Sequence, residues 1–568
     1  MRARYRSLAR GIPALLAASI LGLAFGPAAA EPDLVLVNAR AFTADPDRPW
    51  AEAAAVEDGR FTAVGTTAEI QRLSGPRTRV VDAGGRLVTP GLTEAHAHAG
   101  PDLPGRRLAF EGPPFPGRGA DGVLAVTREA ADGQGGWLVV EAGVSVFNDT
   151  RDWLRALDEA APANPVIVRG CCGHGTLMNS RALIALGIDE SLSDPVGGWW
   201  GREGDGQLNG RAFEAAEILV IRRLFGDRDA AAIADGYGAA ETLYAAWGVT
   251  AIHQMSHDLT LGDAFGGLAR LSPRLKWTVY GWGLPDTAVG EVWREVDALA
   301  PPPTRHVRLG GTKWILDGTP LERGAVMADD YADRPGWRGR SNYSADQLAD
   351  ILRGALASDR QLAVHVSGDG EARRLIEAMR AQAPDAEWRR HRVRIEHGDG
   401  LSGPLLADAR ALGVVIIQNP LHTAPSPVED GVTFQVARYG PARMAAMMPL
   451  RSVVDSGTSF ALGSDAGGPA VNPFLNMMLA IAYPLRPEEA LSREQALLAY
   501  TAGGAFAARE EGERGRIAPG LAADLAILSQ DVLTAPLDSL PGTVSLLTLV
   551  DGEPVHASGP YADLAPKP

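Results

Sequence analysis

The sequence predicts an α/β fold, a (β/α)₈ TIM-like barrel with a small β-rich domain made from both chain ends, and three observations point there. From about Leu87 to Ala505, short β-branched runs alternate with amphipathic or Ala-rich helical stretches, the pattern of βα units around a parallel sheet. Residues 33–88 and the stretch from Gly515 onward lack that alternation and read as short strands with tight turns. Polar groups able to ligate a metal end or follow several of the central apolar runs, which is where a barrel of this kind carries its chemistry.

Composition narrows the class. A chain of 568 residues with 46% hydrophobic and 22% charged residues can bury a large core, is too long for one ordinary compact domain, and is neither disordered nor fibrous. Its two cysteines, Cys171 and Cys172, are neighbours and staple nothing distant. A formal net charge of -15 argues against nucleic acid or an anionic membrane surface as partner. A small-molecule substrate is the expected partner, and a homo-oligomer is left open.

In chain order, residues 1–30 read as a signal peptide. Arg2, Arg4, Arg6 and Arg10 form a positive region, 12–25 an apolar one, and Ala28-Ala29-Ala30 a small-residue cleavage site before Glu31. The apolar run is shorter than the roughly 20 residues a spanning helix needs, so no stable membrane insertion is expected after cleavage and the mature chain is expected to be periplasmic or secreted. Strand candidates at 34–37, 53–56, 61–64 and 80–81 assign 31–88, with 506–568, to the small β domain. The barrel is expected over 89–505. Its strand candidates, from Leu87-Val88 through 137–141, 166–169, 249–253, 277–280, 307–316, 362–365, 393–396 and 414–418 to 460–463, number more than eight. Some therefore belong to an insertion, placed at about 100–211, where Gly and Pro are dense.

The histidines carry the chemistry. His96 and His98 are two apart behind an apolar run, and positions i and i+2 of a strand share a face, so two imidazoles can grip one cation. His365 ends Leu362-Ala363-Val364, His397 ends Val393-Arg394-Ile395-Glu396, and Asp465 follows Phe460-Ala461-Leu462-Gly463-Ser464. In a chain with 11 His any one of these is weak, but five such groups at strand ends make a metal site the expectation.

At Pro90-Gly91-Leu92-Thr93-Glu94-Ala95-His96-Ala97-His98, Val364-His365, Arg394-Ile395-Glu396-His397 and Leu462-Gly463-Ser464-Asp465 the chain resembles the metal-dependent amidohydrolase superfamily, and more closely its family 3, YtcJ-like branch. Gly515-x-Ile517-x-x-Gly520-x-x-Ala523-Asp524-Leu525 resembles that superfamily's closing segment, so the resemblance covers nearly the whole mature chain and implies that the two ends form a composite β-sandwich. It implies that His96 and His98 on the first barrel strand, and His365 and His397 on the fifth and sixth, are metal ligands. Asp465 on the eighth is implied as ligand and general base, holding one or two divalent ions with zinc as the expected metal. Lys313 matches the lysine ending the fourth strand; its ammonium has no lone pair, so ligation would require carbamylation, the alternative being an unmodified cation near the substrate or paired with Asp317.

The implied reaction is hydrolysis of a non-peptide carbon–nitrogen bond, with metal-bound hydroxide attacking the carbonyl and Asp465 relaying its proton to the leaving amine. An ester or lactone hydrolase at the same site, and a secreted binding protein without turnover, are the alternatives. Cys172-Gly173-His174, followed by Asn179-Ser180-x-Ala182-Leu183, resembles a family segment in which aspartate is common where Cys172 stands; His174 is the implied catalytic group polarising the carbonyl. His253 and His422, at strand ends, and Arg323, which matches a family arginine, are candidate substrate-binding residues. Pro320-Leu321-Glu322 departs from the family's Leu-Gly-Ser, so that loop is expected to shape substrate choice. Trp199, Trp200, Trp277 and Trp282 are either an aromatic wall or core packing, and His257, His306, His391 and His556 read as structural or surface groups.

Overall fold

Eight parallel strands form the central sheet of the computed structural model: β1 (Leu92–Ala97), β2 (Val249–Ser256), β3 (Lys276–Trp282), β4 (Val307–Ile315), β5 (Gln361–Val366), β6 (Arg394–His397), β7 (Val415–Gln418) and β8 (Ser459–Leu462). The structure describes residues 31–566 except 110–117, 144, 171–172, 227, 283–288, 303 and 425–432. The expected signal peptide and the cysteine pair therefore lie outside the described residues. Each strand pairs in parallel with the next in chain order, and the barrel nearly closes where the Asp465 amide, just past β8, donates to the His96 carbonyl of β1 at 3.1 Å. Strands flanked by helices outside and side chains inside are covered on both faces, which is why β7 reads Val-Ile-Ile-Gln with every residue buried.

The outer helices follow the amphipathic rule. Helix Ala345–Ala357 is closed at its start by a Ser344/Gln347 capping box and buries Leu348, Ile351, Leu352 and Ala355, one stripe at three- and four-residue spacing. Each such large side chain contributes about 1.5–3 kcal/mol by leaving water. Between β1 and β2 the chain builds a separate six-stranded sheet from Arg106–Leu108 to Leu208–Glu214, and the strand candidates at 137–141 and 166–169 belong to it.

The chain ends share a second six-stranded sheet, in which Leu87–Pro90 pairs with Arg40–Phe42 on one side and Leu525–Leu528 on the other. A four-stranded sheet containing Leu34–Val37 shares one apolar cluster with it, including Leu36, Phe61, Val88, Leu525 and Leu547. Lys276 at the start of β3 ties this region to the barrel, its ammonium 2.7 Å from Asp524 and 2.8 Å from Asp551; His306 adds a contact to Asp551 at 3.1 Å. Among the described residues no helix is long and apolar enough to cross a membrane.

The run that begins at Leu87 is two strands. Leu87–Pro90 stays in the end-built sheet, and only Leu92–Ala97 enters the barrel. Gly91 makes the passage possible, because a Cβ there would lie 2.1 Å from Thr250 Oγ1 on β2. We expect Gly91→Ala to lower stability by about 1–3 kcal/mol through overpacking at this junction. The shift in denaturation midpoint would measure it, and an unchanged midpoint would contradict the close approach.

Candidate metal centre and active-site cavity

The C-terminal ends of the barrel strands bring the expected ligands together. Asp465 bridges two sets, one with His96 and His98 and one with His397 and His422, and within each set the potential ligand atoms all lie within 4.8 Å of one another. Asp465 Oδ1 lies 3.1 Å from His98 Nε2 and 3.4 Å from His96 Nε2, while Oδ2 lies 3.4 Å from His422 Nε2 and 3.8 Å from His397 Nδ1. The His365 ring packs against that of His397, with centroids 4.5 Å apart. His422, expected only to line the substrate pocket, thus stands close enough to Asp465 to be a ligand candidate. His397 and Asp465 both hold left-handed backbone angles, φ 70° and 49°, the strained conformation that non-glycine residues adopt mainly at turns and functional sites.

The imidazoles are oriented from behind. His96 Nδ1 faces Glu396 Oε2 at 2.6 Å, His98 Nδ1 the Met255 carbonyl at 3.0 Å, and His397 Nδ1 the Asn419 amide oxygen at 2.8 Å. Partners of this kind fix the tautomer and ring direction of a metal-ligating histidine. The Nε2 atoms of His96 and His365 are buried and accept no hydrogen bond, the state of lone pairs awaiting a cation rather than of satisfied core groups.

Protonation agrees with this fit. Burial, aided by the Lys313 charge, pulls His96 down to about 4, and burial holds His365 and His397 well below the ordinary imidazole value, so all three are neutral and able to ligate. Burial opposes ionisation of Asp465, but the hydrogen bonds it accepts from His422 and His98 keep its carboxyl well below the carboxylate range. Neutral imidazoles around one ionised carboxylate suit a divalent cation such as zinc.

A cavity of about 960 Å³ opens over this cluster and is lined by His96, His98, His174, Lys313, His365, His397, His422 and Asp465. Lys313 is buried at the end of β4, and desolvation lowers its ammonium to about 8. Asp317 does not pair with it; that carboxyl instead accepts the backbone amides of Val326, Ser367 and Gly368. His174 arrives from the inserted sheet with its ring 4.7 Å from that of His365 and its Nδ1 3.0 Å from Glu214 Oε2. Burial alone would lower His174, but Glu214 outweighs it and pushes the imidazole up to about 9.

Of the substrate-binding candidates, His253 is placed beneath the site and Arg323 beside it. His253 lies inside the barrel beneath the site, its ring nitrogens 3.0 Å from an Arg394 guanidinium nitrogen and 3.2 Å from one of Arg514, and it does not line the cavity. Arg323 holds Asp333 through Nε and Nη2 at 3.1 and 2.9 Å and faces a neighbouring cavity rather than the histidine cluster. The tryptophans divide: Trp282 lines the main cavity and Trp199 the neighbouring one, whereas Trp200 and Trp277 are core.

The sequence profile of the amidohydrolase family matches residues 79–556. The chain belongs to the amidohydrolase family. It is a metal-dependent hydrolase acting on carbon–nitrogen bonds, the class its motifs imply. The putative amidohydrolase YtcJ of Bacillus subtilis (strain 168) is 26% identical over 534 residues, covering 89% of this chain and 96% of that protein. The N-substituted formamide deformylase of Arthrobacter pascens is 27% identical over 552 residues, covering 92% and 97%. An uncharacterized metal-dependent hydrolase from Pyrococcus horikoshii OT3 shares the fold, with a TM-score of 0.67 at 18% identity over 89% of this chain and 99% of that one.

This amidohydrolase also places at its site groups that are not among the ligand and substrate-binding candidates. His257, read as incidental, packs edge-on to His98 with centroids 4.4 Å apart and lies 2.8 Å from Asp258. Glu396 could have been suspected from its position two residues after Arg394 on an inward face of β6, since both bond across that face. Glu214 carried no signal, because only the folded inserted sheet brings it beside His174, 40 residues away.

Proposed function

We propose that the protein is an exported hydrolase that cleaves a non-peptide amide bond of a small molecule, with N-substituted formamides as the first substrates to try. One observation carries this reading: an ionised Asp465 bridges the two histidine sets and faces, across one cavity, the His174–Glu214 pair. The formamide choice comes from the deformylase relative. We assign His96, His98, His365, His397 and Asp465 as ligands, with His422 as a further candidate. When bound there, a divalent ion, expected to be zinc, polarises a carbonyl and acidifies a water.

The chain's own groups do the rest. Asp465, ionised, accepts the proton of the attacking water and returns it to the departing amine. His174, protonated through Glu214, donates a hydrogen bond toward the carbonyl oxygen as it gains charge. Lys313, lowered to about 8, has enough neutral amine near pH 7 to react with CO₂, and we propose that its carbamate is an additional ligand. Export is inferred from residues 1–30, and the chain ends, 31–88 with 506–568, are read as one composite β-sandwich domain.

The His174 assignment has a pH consequence. Its folded value, about 9, lies above the ordinary 6.5, so the pair with Glu214 adds stability that is complete below about 6.5 and lost as pH rises through about 9. The alkaline limb of kcat/KM should fall near 9, and His174→Gln should flatten it. A limb unchanged in that variant would remove His174 from the chemistry.

The function itself is tested by incubating the purified protein with N-benzylformamide and following formate and benzylamine release, with an aryl formate ester alongside. Release of both products from the amide is expected. Ester cleavage without amide cleavage would replace the amidase reading by an esterase one, and no turnover of either would favour a binding protein.

A further inference from the structure

A second cavity, of about 640 Å³, adjoins the first, and His174 and Thr319 line both. Its acids are committed: Glu214 to His174, Asp149 to Arg151, and Glu322 to the Thr319 hydroxyl. Two of its four arginines are also committed, Arg323 to Asp333 and Arg211 to the Phe147 and Asp149 carbonyls.

Arg334 and Arg340 differ. The Arg340 guanidinium lies 3.9 Å above the Trp199 ring, which stacks in turn on Phe213 at 5.3 Å, and that of Arg334 lies 4.7 Å above Trp337. Among the described residues neither guanidinium has a carboxylate partner. A guanidinium held over an indole by cation–π attraction still has N–H donors to offer, and its fork matches a carboxylate.

We propose that this cavity is a recognition subsite for a carboxylate carried on an apolar arm of the substrate, away from the bond that is cleaved. Phe147 and Phe213 of the lining take the carbon skeleton, and Arg334 and Arg340 take the charge. The substrate class is then an amide whose non-reacting arm ends in a carboxylate. This rests on the amidase reading above, and the test keeps the two apart.

The wild-type protein and an Arg334→Gln/Arg340→Gln double variant would be given para-carboxybenzyl formamide and its neutral twin, para-carbamoylbenzyl formamide. The wild type is expected to favour the acid by about 10–100-fold in kcat/KM, the worth of charge-assisted hydrogen bonds, and the double variant to lose about tenfold or more of that preference. In parallel, quenching of tryptophan fluorescence by para-toluate and para-toluamide, which hold no formamide, reads the subsite without turnover. Stronger binding of toluate in the wild type, lost in the variant, supports the subsite even if neither formamide is cleaved, in which case only the formamide reading fails. Equal handling of acid and neutral compounds by the wild type in both assays would overturn the subsite while leaving hydrolysis intact.

Discussion

Asp465→Asn is expected to lower kcat/KM on any amide the protein cleaves by about 10²–10⁴-fold while leaving the fold in place. Two features make this substitution clean. Asparagine, like aspartate, tolerates the left-handed backbone that Asp465 adopts, so the loop after β8 keeps its course. The amide also keeps the side chain's size. What it loses is the proton acceptor and the one negative charge set among His96, His98, His397 and His422. Measuring kcat/KM at matched metal content separates the lost proton transfer from weakened metal binding. A variant that kept both its metal and full turnover would remove Asp465 from its assigned role.

Glu396→Gln should be the most damaging change outside the ligand set. Glu396 and Arg394 are fully buried inside the barrel, with Arg394 Nε donating to Glu396 Oε1 at 2.8 Å and Nη2 to Oε2 at 3.2 Å. The same guanidinium donates to the Ala95 carbonyl at 2.7 Å and faces His253 at 3.0 Å. Neutralising the glutamate leaves a buried cation without its counter-charge, which costs about 3–5 kcal/mol. It also frees His96 Nδ1 from the carboxylate that sets its tautomer, which weakens metal binding by about 10–100-fold. Chemical denaturation and metal titration read the two effects. The double variant Arg394→Met/Glu396→Leu separates them, because removing both charges should recover much of the stability and none of the metal affinity. Recovery of both would show that Glu396 acts only through folding.

The barrel was legible because parallel strands covered on both faces leave unbroken apolar runs, and the ligand candidates because polar groups interrupt those runs at one end. The join at Gly91 was not legible: apolarity continues across it while the chain passes from one sheet to another without a loop. His253 misled because the apolar run of β2 says that a residue is buried but not at which depth; its partner Arg514 comes from 261 residues later in the chain. His422 sits in a short helical turn, Pro420–Thr423, and no periodicity in so brief an element indicates that it turns toward Asp465. His257 looked incidental because its contacts, to His98 just past β1 and to Trp282 of β3, exist only once the strands are neighbours.

Four histidines and Asp465 are assigned to hold a divalent cation on which hydrolysis depends. Elemental analysis of the purified chain, before and after dialysis against a chelator and again after zinc is restored, with turnover measured at each step, tests it most directly. One or two divalent ions per chain are expected, with activity lost and regained in step with the metal. A chain that carries no metal and hydrolyses its substrate regardless would contradict it.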